Sequence, residues 1–207
     1  ITLFLDCQTY VVVTGDGKAV AFDGITVTCV DAPAAPRIAS AVSRKTHTGV
    51  GDFDIDVKAA GAVECRKDGP TTVIVTFDQA IQRVSGTLAD VSVSSGAVSN
   101  LAVSGSQLTI TLGGATDTAW LVIGFPGIRN ATGQVVTDIL CFGVLGGDVN
   151  GGGTVDLFDL VAIRNALNTA ATGTSFRLDV TLDGVVDLFD LVATRNNLNR
   201  SLIGSCP

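Results

Sequence analysis

With 207 residues, 46% of them apolar and only 16% charged, the chain has enough apolar material for one large or two small domains. Its net charge of −7 and isoelectric point near 4.4 argue against nucleic acid and anionic membrane surfaces as partners. Every acidic residue is Asp except Glu64, and no lysine follows Lys67, a surface suited to β-structure and hard cations in a secreted protein.

The longest uncharged run, Val91 to Thr116, is interrupted by Ser, Thr, Gly and Asn and alternates as strands do, so no membrane-inserting segment is expected. Met is absent even at position 1, as expected of a chain that has lost a leader or is a piece of a longer polypeptide.

Residues 1–32 read as a small β-meander, with Asp23-Gly24 as a hairpin signal between β-branched runs. Too short to bury a core alone, it needs support from another domain or molecule. Pro33 and Pro36 mark a linker.

Residues 37–145 carry short alternating strand candidates: Ile38 to Thr46, Phe53 to Val57, Thr71 to Phe77, Val91 to Ser94, Leu101 to Val103, Leu108 to Leu112, Trp120 to Phe125 and Ile139 to Val144. Their spacing predicts an antiparallel, immunoglobulin-like β-sandwich. The stretch from Ala119 through Gly133-Gln134 resembles the final hairpin of bacterial immunoglobulin-like modules. Asp52, Asp54 and Asp56 fall on one strand face, which is read as a solvated face, with a third cation site or a carboxylate pair for glycoside hydrolysis as alternatives. The single histidine, His47, is expected at the surface or in a turn.

Five cysteines, Cys7, Cys29, Cys65, Cys141 and Cys206, lack the spacing of a zinc site. In an oxidising compartment the expected disulfides are Cys7 with Cys29 and Cys65 with Cys141. Cys206 is then left as a free or capped thiol, or as a crosslink to another chain.

The last segment carries the functional signal. Asp148 to Asn168 is repeated 31 residues later as Asp179 to Asn199, with 15 identities in 21 positions. Each copy opens on a twelve-residue Asp-rich loop and continues into an amphipathic stretch, the layout of an EF-hand-type calcium loop with ligands at positions 1, 3, 5, 7, 9 and 12 and Gly at 6. The first set is Asp148, Asn150, Gly152, Thr154, Asp156 and Asp159. The second is Asp179, Thr181, Asp183, Val185, Asp187 and Asp190. Two calcium ions are expected. Gly152 at position 5 leaves loop one with fewer carboxylates, so loop two is expected to bind more tightly.

The segment from Gly147 to Leu202 resembles the type I dockerin family. The resemblance rests on the paired loops, Asp at position 12, the repeat length and the Phe176-Arg177 lead-in to the second copy. It implies an all-α module over residues 147–203, two loop–helix units in pseudo-two-fold symmetry, and attachment to a cohesin-like domain. By resemblance the recognition positions are Leu157, Phe158, Arg164 and Asn165 in copy one, and Leu188, Phe189, Arg195 and Asn196 in copy two. Either helix could then present the same face. The Leu-Phe pairs replace the small hydroxyl pair of many dockerins and suit a more apolar contact; packing of Phe158 and Phe189 between the helices is the alternative. Leu157, Leu160, Val161 and Leu167 share one helical face, as do Leu188, Leu191, Val192 and Leu198.

The chain is thus read as a mainly β, extracellular, non-catalytic assembly protein with a calcium-stabilised docking module. Its partner is a cohesin-like domain or further copies of itself. The alternatives are a homo-polymeric subunit of a filament or surface layer, and the tail of a secreted polysaccharide hydrolase whose catalytic domain lies outside these residues.

Overall fold

The computed structural model describes residues 33–207, and within them Ala35–Pro207 forms one compact unit. The meander expected over residues 1–32 and the Cys7–Cys29 pair lie outside the described residues.

In chain order the strands are β1 (Ile38–His47), β2 (Gly51–Asp56), β3 (Val63–Glu64), β4 (Thr72–Phe77), β5 (Gln82–Arg83), β6 (Ser92–Val93), β7 (Ala97–Ser104), β8 (Gln107–Gly113), β9 (Ala119–Gly124), β10 (Ile128–Arg129) and β11 (Leu140–Val144). The long strands fall where β-branched and apolar residues alternate with Ser, Thr and Asp, because period-two patterning turns one face inward. One sheet runs β2-β1-β4-β8-β7, antiparallel throughout. The second runs β3-β11-β9-β6. The purely antiparallel expectation is corrected there, since β3 runs parallel to β11, pairing Val63 with Gly143 and Glu64 with Val144. β3 was missed because two residues carry no periodicity. Strands β5 and β10 form a separate short ladder.

Ala41, Val73, Val75, Leu108 and Ile110 of one sheet and Leu121, Ile123, Leu140 and Phe142 of the other are buried in a single cluster. Each large apolar side chain there contributes about 1.5–3 kcal/mol. At the His47 end of β1 the inner face turns polar: Ser43, Lys45 and His47 are buried alongside Glu64 and Arg66. Arg66 donates to both carboxylate oxygens of Glu64 and to the carbonyls of Phe53 and Ser43, and the Ser43 hydroxyl donates to Glu64. Burial alone would push the Glu64 carboxyl up, but the guanidinium and the hydroxyl hold it below the usual range.

On the outer face of the same hairpin, Arg44 pairs with both oxygens of Asp54, and the Thr46 hydroxyl donates to Asp52. The expected Asp row is therefore an exposed strand face with one member neutralised by a neighbouring strand.

The tail adds α1 (Leu157–Asn165), β12 (Thr169–Ala170), β13 (Val185–Val186) and α2 (Leu188–Asn196). Besides its helices it holds a short antiparallel ladder between β12 and β13, so it is not purely α. Val149, Ile163, Val180 and Val186 belong to the same buried cluster as the sheets. The zipper of Leu145 to Glu64 and Gly147 to Cys65 carries the β11–β3 pairing directly into the first loop.

The cysteines pair differently from the expectation. Cys141 is bonded to Cys206, and Cys65 is a buried free thiol. Strand parity explains it: on β11, Leu140 and Phe142 face the core, so Cys141 turns away from the side where Cys65 is buried. Ile203 N–H bonds Thr118 O, and the Trp120 indole donates to Gly204 O, bringing the C-terminal segment back along β9 to Cys141. Burial pushes the Cys65 thiol up to about 12, which leaves it protonated and unreactive.

Candidate metal centre and docking face

Both loops are built the same way. Asp148 accepts the amides of Gly152 and Gly153 at 2.9 and 2.8 Å. Asp179 accepts those of Asp183 and Gly184 at 3.2 and 2.8 Å. These position-1 carboxylates therefore fold the chain around themselves. At position 12, Asp159 accepts from Asn150 N and Asp156 N, and Asp190 from Thr181 N and Asp187 N. Each thus stitches the loop entrance to the first turn of its helix. Asp156 and Asp187 cap their helices, taking the amides of Phe158 and Phe189, both at 2.7 Å.

The copies also lock each other. Asn168 N donates to Val186 O at 2.7 Å, and the equivalent Asn199 N donates to Val155 O at 2.8 Å. Each segment leaving a helix is thus bound to position 8 of the other loop, an exchange that gives the pair its internal two-fold relation.

Asp148, Asp159, Asp179 and Asp190 are completely buried. Desolvation raises the Asp148 carboxyl above its usual range, partly offset by backbone amides, with the Asp159 charge adding to the rise. Desolvation likewise raises Asp190, with the Asp179 charge acting in the same direction. Among the described residues no three carboxylate, cysteine or histidine side chains converge on one point. What each loop brings together is the position-1 and position-12 carboxylates, while the position-9 carboxylate is turned onto its helix N-terminus. Asn150 accepts Gly152 N, Thr181 donates to Asp190, and Asp183 accepts Val185 N.

This donor set fits a hard cation. It consists of oxygens only, and an ionised carboxylate offers about four lone-pair sites. Amides reach both oxygens of each of the four carboxylates without filling all of those sites, so capacity for an ion remains. Two buried like charges within reach of one another, in a shell otherwise of amides and hydroxyls, are relieved by a divalent ion.

Sequence reasoning missed His47. It is fully buried, not at the surface, and its Nδ1 lies 2.7 Å from Asp179 Oδ2. The signal was present in strand parity. Arg44 and Thr46 reach outward to Asp54 and Asp52, so His47 must point inward with Ser43 and Lys45. Arg177 plays the bracing role at the first loop, donating to the carbonyls of Val149, Asp148 and Val63. Phe176 beside it stacks on Phe53 at 5.2 Å between centroids. The Phe176-Arg177 lead-in is therefore part of how the tail joins the sandwich.

Every expected recognition residue is exposed: Leu157 at 67%, Phe158 at 74%, Leu188 at 63% and Phe189 at 69%, and Arg164, Asn165, Arg195 and Asn196 as well. The inward faces of the helices differ from the expected stripes. Asp159 and Ile163, and Asp190 and Thr194, are buried, whereas Val161 and Val192 join the exposed side. The position-12 carboxylates draw the helices round, since their hydrogen bonds fix which face meets the loop.

Two loop–helix units, each capped by its own acid and locked by the other, define a duplicated loop–helix module. Residues 146–201 match the family model described as the Dockerin type I domain. That match supports a calcium-binding, protein-attaching module in this part of the chain, and comparison of the chain with curated proteins gives no match.

Proposed function

We propose that the protein is a non-catalytic, extracellular assembly component in which residues 146–201 hold two calcium ions and attach the β-sandwich to a cohesin-like domain. The immunoglobulin-like sandwich acts as the carrier. The observation that carries the reading is the exposure of the same Leu-Phe pair at the start of both helices, in a segment matching a docking module. Large apolar side chains at such exposure stabilise nothing within the chain, and their duplication gives two equivalent contact faces. The ligands are those named from loop positions 1 to 12, with position 1 and position 12 carboxylates as the charged pair. No helix among the described residues is long and apolar enough to cross a membrane. The Cys141–Cys206 disulfide suits an oxidising, extracellular setting.

The test is calcium-dependent binding of the full chain to immobilised cohesin-like domains, with size-exclusion chromatography of the chain alone beside it. Retention with calcium and release by chelator support attachment to a separate partner. Calcium-dependent polymers of the purified chain, without such retention, would replace it with self-assembly.

A further inference from the structure

The two loops are held unequally. Asp148 is held by backbone amides, whereas Asp179 also receives a side chain from 132 residues away in sequence, the buried His47 of β1. A carboxylate only accepts, so Nδ1 carries the proton and donates. The ring stands edge-on to the stacked pair Phe53 and Phe176, with centroids 5.1 and 6.2 Å away. The adjacent turn lies against the same loop: Thr48 N donates to Leu182 O at 3.0 Å. A Cβ added at Gly184 would come within 2.1 Å of Thr48 O, whereas at Gly153 of the first loop the nearest atom is 3.9 Å away.

We infer that His47 is a positioning residue for calcium at the second loop, contributed by the sandwich rather than by the loop–helix unit. This rests on the calcium reading above. Oδ2 of Asp179 already takes both Gly184 N and His47 Nδ1, so Oδ1, with a single long amide contact at 3.2 Å, keeps the lone-pair capacity an ion needs. The histidine fixes which oxygen faces the ion and stops the carboxylate from rotating. Outer partners of this kind orient ligands in metal sites generally. The consequence is that the second calcium site is completed only when the sandwich is folded against it.

The amides of Gly153 and Gly184, each bonded to its own position-1 carboxylate, give separate readouts of the two loops in a calcium titration of the full chain followed by amide NMR. His47→Leu removes the donor, His47→Gln moves it to the far end of the side chain, and His47→Asn returns an amide to the place of Nδ1. We expect the Gly184 midpoint to move to about 10–100-fold higher calcium in the Leu and Gln variants, with Gly153 little changed and the Asn variant close to wild type. An unmoved Gly184 midpoint, an equal shift at both glycines, or an Asn variant as weak as Gln overturns the inference. If the Leu variant does not fold, the Asn–Gln comparison decides alone. A wild-type chain in which neither glycine responds to calcium sinks the calcium reading itself, which a response at Gly153 alone would not.

Discussion

Cys141 of β11 and Cys206, next to the C-terminus, lie 65 positions apart in sequence and are joined by a disulfide with Cα atoms 5.8 Å apart. The closed loop contains the whole loop–helix pair, so both ends of that module are fastened to the same strand region. In the chain-entropy account a loop of this length stabilises by about 4 kcal/mol, with about 2–4 kcal/mol typical of measured bridges. A Cys141→Ser, Cys206→Ser double variant should lose roughly that much in urea unfolding with calcium present. Loss of less than about 0.5 kcal/mol would mean that the C-terminal segment is held by its strand pairing and by the Arg200–Asp117 ion pair instead.

Sheets and tail share one buried cluster, so they should unfold together. Calorimetry of the calcium-loaded chain is expected to show a single transition for this unit. Saturating calcium about a thousandfold above Kd adds about 4 kcal/mol per site. Chelation should therefore lower the midpoint by on the order of 10 °C per site without splitting the transition. A separate low-temperature transition for the tail would show that the shared cluster does not couple them.

Phe158 and Phe189 stand outside the core, so their truncation should cost under about 0.5 kcal/mol in stability. Because the two faces are equivalent in type, Phe158→Ala or Phe189→Ala alone should leave partner binding within a few-fold of wild type. The double variant should abolish it, each lost anchor being worth about 2 kcal/mol or more. Surface plasmon resonance with the three variants checks this, and a single variant that already abolishes binding would reduce the two faces to one.

Arg66 and Glu64 form a fully buried pair. Removing the cation by Arg66→Met leaves a buried carboxylate without its partner and should cost about 3–5 kcal/mol. The pH dependence follows from the sign of the shift. Glu64 has its folded pKa below the unfolded value, so its contribution is present above the ordinary glutamate range, near about pH 4.3. It is lost as pH falls through the lower, folded value. The stability difference between wild type and Glu64→Gln should be level at neutral pH and shrink on acidification in urea titrations. A difference that grows on acidification would contradict it.

Of the fold, what depends on neighbours in sequence was readable. Eight strand candidates coincide with observed strands because alternation is local, and a helix follows each Asp-rich loop as expected because the loop–helix order is written in contiguous residues. The two-residue strands β3, β5, β10, β12 and β13 escaped, since two residues cannot show a period; β6 was legible only because Val91 extends its alternation. The helical stripes were legible, but not how they divide: Leu167 and Leu191 pack against the core, while Leu157, Val161, Leu188 and Val192 are exposed. An apolar period says that a helix has two faces, and the hydrogen bonds of Asp159 and Asp190 decide which one is buried.

By itself, then, the sequence determined the duplicated loop–helix unit and the paired Leu-Phe positions, because each is encoded within a dozen contiguous residues. The tertiary structure alone decided that Cys206 bonds Cys141, that Cys65 stays a buried thiol and that His47 reaches Asp179. Those are contacts between residues 65 to 132 positions apart. They depend on which way each side chain leaves its strand and where the chain returns, and no local pattern records both at once.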